Sequence, residues 1–578
     1  MMGMRASGAS RPKRWAVVMF AALACLPVGV LIADGDAAER VARGPSADVR
    51  TRGAAGDGIS DDSAAIQAAL DAGADVVLPS GYSFLVRGLV ASVPGQRISG
   101  GGRLLLADGA NRPVLTIAAS EVTVDGLEMD GNAARQAAAS DDMGSGIWVR
   151  SGTRNVRIVN NHVHDTRRSG IAGYGNHEGF KISGNRIERV GFIGIYPSSG
   201  SGYPFRYGVI SENQISDPAQ DGIGTVAIQH TVISSNTVLR PGVAGIALEA
   251  RCDHTTVVGN AVVGSFDGTK GSNAGIQVND SHDVTITGNS VVGFGNGIAA
   301  SGGDTSVSVT IMGNSISSSG TGIVATTGVR LEAYPYHATV SGNTVTDSYG
   351  SGILISQIAA VSVTGNVVRN WNRGEYANKM HMAGIALRRS VTDAIVANNV
   401  LSDSSGKSGR VGIAEIEAGG PFPAGNAILH NAVLGVAVPY ALSSRADGTS
   451  SRLERAERFA KEPTSGSWRA GDKAEGAPGA MGTPVSGWLC ISSGSYHPVD
   501  ARVSGELKAG SRRATMRETA GIWDGMRLRI AGAGPNGSDF VDEVVVLGPD
   551  SIGFVNGMPS TETSGAWVTN VRPTFRPY

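Results

Sequence analysis

Cysteine, aromatic side chains and excess charge are all scarce in this chain of 578 residues. The cysteines are Cys25, Cys252 and Cys490, and their wide separation argues against a disulfide framework and against a zinc site with paired short spacings. Aromatic residues make up 5% of the chain, and the formal net charge is −1 at pH 7. This balance argues against a general nucleic-acid or membrane-surface binder. A charged ligand must therefore meet a local cluster of side chains.

Residues 1–44 are predicted to be a signal peptide or a signal anchor. An apolar run from Trp15 to about Ala33 follows four basic residues, which are Arg5, Arg11, Lys13 and Arg14. This order is typical of a secretory signal, and the run is also long enough for an uncleaved anchor. We therefore expect the body of the protein to be secreted, periplasmic or at the cell surface.

The middle of the chain, residues 122–444, repeats one short pattern. Each copy has a β-branched run, an asparagine, a second apolar run, a polar turn, Gly-Ile and a third run, as in VTITGNSVVGFGNGIAASG from Val284. A period of this length indicates a solenoid, and three short strands per repeat predict a parallel β-helix of about 12 turns. The marker asparagines should form a structural amide ladder; they are Asn161, Asn185, Asn213, Asn236, Asn260, Asn289, Asn314, Asn343, Asn366, Asn399 and Asn431.

Residues 45–121 are predicted to hold an N-terminal cap and the first β-helix turns. Ala65, Ile66, Ala69 and Leu70 form the apolar stripe of a short helix that would cover the open end of the solenoid. Just before this stripe, three residues are predicted to provide the N-cap and the first-turn acids: Ser60, Asp61 and Asp62.

The same segment, GDGISDDSAAIQAALDAGADVVLPSGYSFLV from Gly56, resembles the N-terminal segment of the pectate-lyase-like superfamily. The similarity lies in Gly-Asp-Gly, Asp-Asp, Ala-Ile-Gln-x-Ala and Leu-Pro-x-Gly-x-Tyr, and it extends over residues 50 to about 445. That superfamily includes polygalacturonase and rhamnogalacturonase relatives, alginate epimerases and phage tailspikes. The resemblance implies an all-β, right-handed parallel β-helix acting on polysaccharide. It does not imply one reaction, because lyases, hydrolases, epimerases and binding spikes share the fold.

The repeat pattern stops near residue 444. We predict a cap and linker over residues 445–475, with a possible short helix at 452–460, and a small accessory β-sandwich or barrel-like domain over residues 476–578. GTPVSGWLCISSGSY resembles the small Gly-Trp-x-Cys modules of exported polysaccharide-active β-helix proteins and tailspikes. Three tryptophans of this region are interpreted first as core residues and second as sugar platforms: Trp488, Trp523 and Trp567.

Side chains alternate along a strand, so the residue after each Gly-Ile isoleucine should face outward. In later turns the outward residues are uncharged and not aromatic, for example Leu354 and Ser356. This pattern predicts that the later turns have only a structural role. Earlier turns predict one wall of aromatic and acidic side chains, made of Trp148, Tyr174, Tyr196 and Glu249. We interpret this wall as a sugar-binding cleft, because aromatic faces stack on pyranose rings. Further substrate-binding candidates are Arg150, Glu178, Tyr203, Arg206, His254, Asn279 and His282.

β-Elimination on an acidic polysaccharide is the favoured reaction. It needs a cation to neutralise the uronate carboxylate, a base to remove the C5 proton and an acid to protonate the leaving oxygen. The candidates are His177 as the base, Tyr174 or Tyr196 as base or acid, and Arg150, Arg206 or Arg251 as the cation, with Arg251 counted among the catalytic residues.

Three alternatives stay open. Tyr174-Gly-Asn-His177-Glu178 resembles the Tyr/Asp/His cluster of alginate C5-epimerases, but Asn176 stands where an acid is expected. A hydrolase needs two carboxylates, for which Asp217 and Asp221 are candidates, although the Gly-His-Gly and Arg-Ile-Lys signatures of polygalacturonases are missing. A non-catalytic polysaccharide-binding spike or matrix protein is the third alternative.

No cofactor is firmly implied, and no residue is predicted as a metal ligand. Calcium stays an option for elimination, although the sequence has neither a dense acidic cluster on adjacent outward positions nor the glycine- and aspartate-rich nonapeptide repeat. The expected partner is an acidic polysaccharide and not nucleic acid, and membrane contact is expected only through an N-terminal anchor. The pattern is compatible with a monomer and with a homotrimer.

Overall fold

The computed structural model describes most of the chain after residue 45. The described residues are 46–137, 140–199, 205–265, 274–302, 308–317, 327–332, 337–374, 383–405, 410–416, 423–436, 438–442, 452–459, 467–468, 473–476, 487–492, 494–495, 501–504, 506–517, 522, 526–548, 550–570 and 574–577. The predicted signal in residues 1–44, the site candidate Tyr203 and the C-terminal Trp523 lie outside them.

One α-helix of nine residues, Ser63–Asp71, follows the short strands Ala47–Asp48 and Asp57–Asp61 near the start of the β-helix, and Ile66, Ala69 and Leu70 are its buried residues. The predicted helix and its apolar stripe are therefore confirmed. The shorter helical turns are Val49–Arg52, Ala133–Arg135, Asp141–Gly144 and Pro535–Gly537. None of the helices in the described part of the chain has the length and apolar character of a membrane span.

The predicted capping role of Asp62 is wrong. Asp62 occupies the N-cap position but makes no side-chain cap hydrogen bond. Its carboxylate instead accepts hydrogen bonds from the backbone N–H groups of Ala55 at 2.6 Å and Gly56 at 3.1 Å. The neighbouring Asp61 accepts from the N–H of Ser63 at 3.0 Å, so this acid does serve the start of the helix.

Each full turn of the solenoid contributes one short strand to each of three parallel sheets, which we call sheets 1, 2 and 3 in the order in which the chain enters them. Sheet 1 contains Ala47–Asp48, Val76–Val77, Arg97–Ser99, Thr123–Asp125, Arg157–Val159, Lys181–Ser183, Val209–Ser211, Val232–Ser234, Thr256–Val258, Val284–Thr287, Ser308–Met312, His337–Ser341, Ser362–Thr364, Ile395–Ala397 and the first part of Ala427–Leu434.

Sheet 2 follows the marker asparagines. It contains Asp57–Asp61, Ser83–Val86, Arg103–Leu106, Glu128–Asp130, His162–His164, Arg186–Glu188, Gln214–Ser216, Thr237–Leu239, Ala261–Val263, Ser290–Val292, Ser315–Ser317, Thr344–Thr346, Val367–Arg369, Val400–Ser402 and the last part of Ala427–Leu434.

Sheet 3 has 14 strands and carries the Gly-Ile segments. Its strands are Leu89–Ala91, Leu115–Ile117, Ile147–Val149, Ile171–Tyr174, Ile195–Ser198, Ile223–Val226, Ile246–Glu249, Ala274–Asn279, Asn296–Ser301, Thr327–Glu332, Ile353–Ser356, Ala383–Arg388, Val411–Ile416 and Val438–Ala441. A further small sheet is formed by His177–Glu178, Phe205–Arg206 and Ile228–Gln229.

Strand register stacks like residues above one another in the core. In sheet 3 the pairing aligns Ile147 with Ile171, Ile171 with Ile195 and Ile195 with Ile223, and all four are buried. These β-branched side chains fill the interior of every turn, while the residues between them face outward. The predicted all-β parallel β-helix is confirmed.

The marker asparagines form the predicted amide ladder without a break. From Asn161 to Asn431, each Nδ2 donates to the Oδ1 of the next asparagine at 2.8–3.0 Å. The backbone N–H of each asparagine donates to the same Oδ1, so these buried amides are paired from turn to turn. Their role is structural.

The possible helix at 452–460 is wrong. The chain forms a strand there, Arg452–Phe459, because it pairs in parallel with Ala427–Leu434 and so covers the exposed edge of sheet 1. The remaining C-terminal strands are Ser467–Trp468, Lys473–Gly476, Gly487–Ser492, Gly494–Ser495, Ala501–Arg502, Glu506–Leu507, Arg513–Thr515, Met526–Ile530, Phe540–Gly548, Ser551–Phe554, Thr563–Ser564, Trp567–Asn570 and Thr574–Pro577.

The C-terminal strands surround a separate apolar cluster that includes Val503, Leu528, Ile552 and Val568. Val438, from the last strand of sheet 3, belongs to the same cluster. The side chain of Trp567 is 48% exposed, so its interpretation as a core residue is wrong. The predicted limits of the cap, linker and accessory domain stay predictions.

Candidate functional site

An aromatic wall lies on the outer face of sheet 3. Trp148 and Tyr174 have ring centroids 5.2 Å apart, and Tyr174 meets Tyr196 edge-on at 5.4 Å. Strand pairing puts Trp148, Ala172 and Tyr196 in one outward column, and Tyr174 stands two residues further along its own strand. Ala172 lies between Trp148 and Tyr196, and its small side chain leaves space for the Tyr174 ring to contact both of them. The structure thus brings these three predicted site residues together.

The wall is held in place by residues that the repeat pattern did not indicate. Asp141 is buried and accepts hydrogen bonds from the Tyr174 hydroxyl at 3.0 Å and from the Ser169 hydroxyl at 2.7 Å. Phe192 meets Tyr196 edge-on at 5.7 Å, and the Arg168 guanidinium lies 4.1 Å from the centroid of the Phe192 ring. Asp141 and Phe192 lie between strands, where no periodicity marks them.

The hydroxyl of Tyr174 is a poor proton donor and a poorer base. Burial raises its pKa above the ordinary tyrosine value, and the neighbouring Tyr196 and Asp141 raise it further. The hydroxyl therefore stays protonated at all physiological pH values and donates to Asp141. Its chemical use is to fix the ring in the wall.

Small, buried residues follow the aromatic wall in the same outward column. Beyond Tyr196 this column continues with Gly224, which pairs with Ala247 of the next strand. The side chain of Ile193 packs over Gly224, where a Cβ would lie 3.0 Å from its Cδ1 atom. The same Cβ would lie 3.1 Å from Oδ2 of Asp221, which places that carboxyl group beside Gly224.

Asp221 is the carboxyl group best placed for chemistry. Burial raises its pKa to about 6, a hydrogen bond from the Ala244 N–H at 2.8 Å opposes this rise, and the charge of Glu249 adds to it. Glu249 is exposed at the end of its strand, aligned with Val226. Asp221 and Glu249 therefore lie near opposite ends of the paired strands Ile223–Val226 and Ile246–Glu249.

The predicted pairing of Asp217 with Asp221 is wrong. Asp217 lies in a surface turn and forms a two-point ion pair with Arg240, with both oxygen–nitrogen distances at 2.7 Å. The guanidinium of Arg240 keeps the pKa of Asp217 below its usual value. Asp217 is therefore neutralised by Arg240. The carboxylate whose charge acts on Asp221 is that of Glu249.

His177, the residue predicted to be the base, is enclosed inside the β-helix. Its ring is buried, packs against Phe205 with centroids 4.2 Å apart, and hydrogen-bonds through Nδ1 to the Thr153 hydroxyl at 2.9 Å. The other ring nitrogen faces the carbonyl of Tyr174 at 3.1 Å. Burial lowers the pKa of His177 to about 4. Enclosed on all these sides, the ring cannot reach a proton on a bound sugar.

Glu178 and Arg206 lie side by side in the small additional sheet, away from the aromatic column. Strand pairing aligns Glu178 with Arg206 and Arg206 with Gln229. Glu178 forms an ion pair with Arg154 at 3.7 Å, and Arg206 donates to Gln229 at 3.3 Å. These predicted substrate-binding residues form a separate polar row.

Some of the remaining candidates lie near the outer face of sheet 3, and the others lie away from the aromatic wall. Arg150 and Arg251 are exposed, one directly after the strand of Trp148 and the other two residues after Glu249. Asn279 is aligned with Glu249 on the outer face and accepts from the Ser301 hydroxyl at 2.7 Å. His254 stacks on His230 at 4.8 Å and pairs with Asp283, away from the wall, and the backbone N–H of His282 binds Asp253.

Comparison with known proteins agrees with this architecture. A family model described as "Right handed beta helix region" matches residues 91–206 and 115–262, and one described as "Periplasmic copper-binding protein (NosD)" matches residues 208–331. No curated protein matches the chain.

Several solved structures are similar to this chain. The A-module of the mannuronan C-5 epimerase AlgE4 from Azotobacter vinelandii is 20% identical, with 71% of this chain and 100% of that chain covered and a TM-score of 0.38. The catalytic unit of a GH87 α-1,3-glucanase from Streptomyces thermodiastaticus is 18% identical, with coverages of 68% and 70% and a TM-score of 0.40. Tailspike protein 3 of bacteriophage CBA120 is 13% identical, with coverages of 73% and 65% and a TM-score of 0.43. With its three parallel sheets and the matched family region, the chain has the right-handed parallel β-helix of the pectate-lyase-like fold.

Proposed function

We propose that this protein is an exported enzyme that cleaves a polysaccharide bound along the outer face of sheet 3. The observation that carries the proposal is the aromatic wall next to Asp221, a carboxyl group whose pKa burial raises to about 6. Glycoside cleavage needs a sugar platform beside a carboxyl group that holds a proton near neutral pH. Export rests on the predicted signal in residues 1–44.

The aromatic wall supports sugar binding. The outward faces of Trp148 and Tyr196 suit stacking against pyranose rings, since both present an apolar body with a polar edge. The hydrogen bond to Asp141 and the contact with Phe192 hold the neighbouring rings before substrate arrives. Binding then orders few side chains, which lowers its entropic cost.

Asp221 is the proposed general acid. The oxygen of a glycosidic bond leaves readily only when it receives a proton, and a carboxyl group with a pKa of about 6 both holds and releases one near neutral pH. The Ala244 N–H holds the Oδ1 atom, and Oδ2 lies beside Gly224, the residue that follows Tyr196 in the outward column.

Glu249 is the proposed second carboxylate. It is exposed at the end of its strand, and its charge acts on Asp221. One carboxyl group that is protonated and one carboxylate that activates water are the two groups of an inverting glycosidase. Hydrolysis is therefore the reaction that this geometry supports best.

β-Elimination is the second candidate, and the exposed guanidiniums of Arg150 and Arg251 favour it. They lie just beyond the strands of Trp148 and Glu249, where they could bind the carboxylates of an acidic polysaccharide in two-point pairs. Tyr196 would then take the C5 proton, because His177 is enclosed and the pKa of Tyr174 is raised.

An assay with the full chain separates these reactions. Purified protein is incubated with a panel of neutral and uronate polysaccharides, and reducing ends, ultraviolet absorbance and uronate composition are followed. New reducing ends without absorbance support hydrolysis, and a rise in absorbance supports elimination, which creates an unsaturated uronate. Unchanged chain length with altered uronate composition would instead indicate an epimerase. Binding to these polymers with none of these changes would overturn the proposed cleavage.

A further inference from the structure

Two histidines and a glutamate converge on the outer face of sheet 2, away from the aromatic wall. His162 and His164 lie on one strand with the buried Val163 between them, so both rings face outward. Glu128 belongs to the preceding turn and pairs directly with His162. One potential ligand atom from each of these three residues lies within 4.8 Å of the other two.

The hydrogen bonds around His164 leave a lone pair facing a carboxylate. Nδ1 of His164 lies 2.7 Å from Oδ2 of Asp165, so the ring proton belongs on that nitrogen. The opposite nitrogen, Nε2, then carries a lone pair and lies 3.3 Å from Oε1 of Glu128. Two acceptors at this distance repel each other unless a cation, either a second proton or a metal ion, lies between them.

Carboxylates outside the cluster fix the two imidazole rings. Asp165 is itself held by Arg189 through contacts of 2.9 and 2.7 Å, and its pKa is lowered to about 2 by that guanidinium. His162 directs Nε2 towards Glu188 at 3.1 Å, which leaves Nδ1 as its acceptor nitrogen. An imidazole oriented by a carboxylate on its far nitrogen is the usual arrangement around protein-bound metal ions.

The local charge also leaves room for a cation. Four carboxylates surround the two rings, from Glu128, Asp130, Asp165 and Glu188. Three guanidiniums contact them, from Arg103, Arg186 and Arg189. With both imidazoles neutral, the cluster carries one net negative charge, and a bound divalent ion would reverse it to one positive charge.

We propose that Glu128, His162 and His164 form a binding site for a divalent transition-metal ion of the zinc or copper type. Two imidazole nitrogens and one carboxylate oxygen suit Zn²⁺, and the same set binds Cu²⁺ more tightly by the general order of affinities. Because the ligands come from two consecutive turns, the ion would cross-link those turns and stabilise the early part of the β-helix. The sequence analysis predicted no metal ligands, because Glu128 is distant from His162 in sequence and comes beside it only through the pairing of consecutive turns.

Metal titration of the full chain tests this proposal. The protein is first stripped with a chelator and then titrated calorimetrically with ZnCl₂ and with CuCl₂, and its thermal unfolding is measured with and without each ion. We expect one ion per chain and an unfolding temperature that rises with ion concentration, since the ion binds only the folded form. The Cu²⁺-loaded protein should show two coordinating nitrogens by electron paramagnetic resonance.

Matched variants keep the test decisive. H162A and H164Q should each lower the affinity at least about tenfold and leave one coordinating nitrogen for Cu²⁺. H254A removes an exposed histidine elsewhere and should bind as the wild type does. Circular dichroism of each variant shows whether the β-helix is intact. No binding by the wild type, or equal binding by folded H162A and H164Q, would overturn the proposal.

Discussion

The outer face of sheet 3 changes character along the solenoid although the core beneath it does not. In the early turns this face carries the partly exposed rings of Trp148 and Tyr196. In the later turns the corresponding positions carry Leu354, Ala386 and Ala414, which are buried in an apolar cluster. The expectation that Leu354 and Ser356 face solvent is therefore wrong, since both are buried.

At the last strands of sheet 3, the late face packs against the C-terminal apolar cluster. Val411 and Ala441 pack against both the late apolar cluster and the C-terminal cluster that contains Val438. One face of one sheet thus differs between its two parts: the early part presents partly exposed aromatic rings, and the late part packs against other segments of the chain. The difference is made by outward side chains alone, because the inward isoleucines are the same in both parts.

The largest expected effect comes from removing the acid at the early face. D221N should lower cleavage about 10³-fold, because an amide cannot donate the required proton. The wild type should lose activity as the pH rises through about 6, where Asp221 ionises, and D221N should lack this limb. The initial rate of reducing-end formation between pH 4 and 8 measures both effects.

The same variant should become more stable at pH 8. The raised pKa means that the fold disfavours the ionised carboxylate, so its replacement by a neutral amide stabilises the folded state by up to about 3 kcal/mol above pH 6. D217N is the matched control on a neighbouring exposed turn and should keep most of its activity. Equal losses in both variants would contradict the assignment of Asp221.

The second largest effect concerns His177, which is buried inside the early turns and does not lie on their outer face. The folded chain holds His177 neutral down to a pH of about 4, whereas the unfolded chain binds a proton below about 6.5. Stability should therefore fall as the pH decreases from 6.5 to 4, by about 3 kcal/mol from this residue. H177L should show a smaller fall over this range in urea unfolding, while turnover per folded molecule stays at the wild-type value.

The structural role of His177 is contradicted if H177L unfolds with the wild-type pH dependence but loses turnover. That result would return His177 to the catalytic role that its neighbours Tyr174 and Glu178 first indicated. A loss of both stability and turnover is resolved by rates corrected for the folded fraction, measured by circular dichroism.

The repeat could be predicted because its physics is periodic. The asparagine ladder runs from Asn161 to Asn431, and isoleucine recurs at most inward positions of sheet 3, so each copy reinforces the same interpretation. The outward aromatic residues were also accessible, since Trp148 and Tyr196 follow the Gly-Ile isoleucine in a fixed position. Asp141, Phe192 and the enclosure of His177 were not, because they depend on how the segments between strands fold back. The His-x-His pattern at His162 was visible, but its glutamate comes from the strand of the previous turn.

The smallest expected effect compares the two parts of the outer face directly. W148A should raise the KM for a cleaved polysaccharide about tenfold with little change in kcat, because stacking of an aromatic ring contributes about 0.5–1.5 kcal/mol beyond the burial of its area. L354A should leave KM unchanged and instead lower the free energy of unfolding by about 2–5 kcal/mol, because it opens a cavity in a buried cluster. Steady-state kinetics and urea unfolding of both variants complete the comparison. If L354A raised KM as much as W148A, the ligand would extend along the whole face, and the division between an open early part and a covered late part would fail.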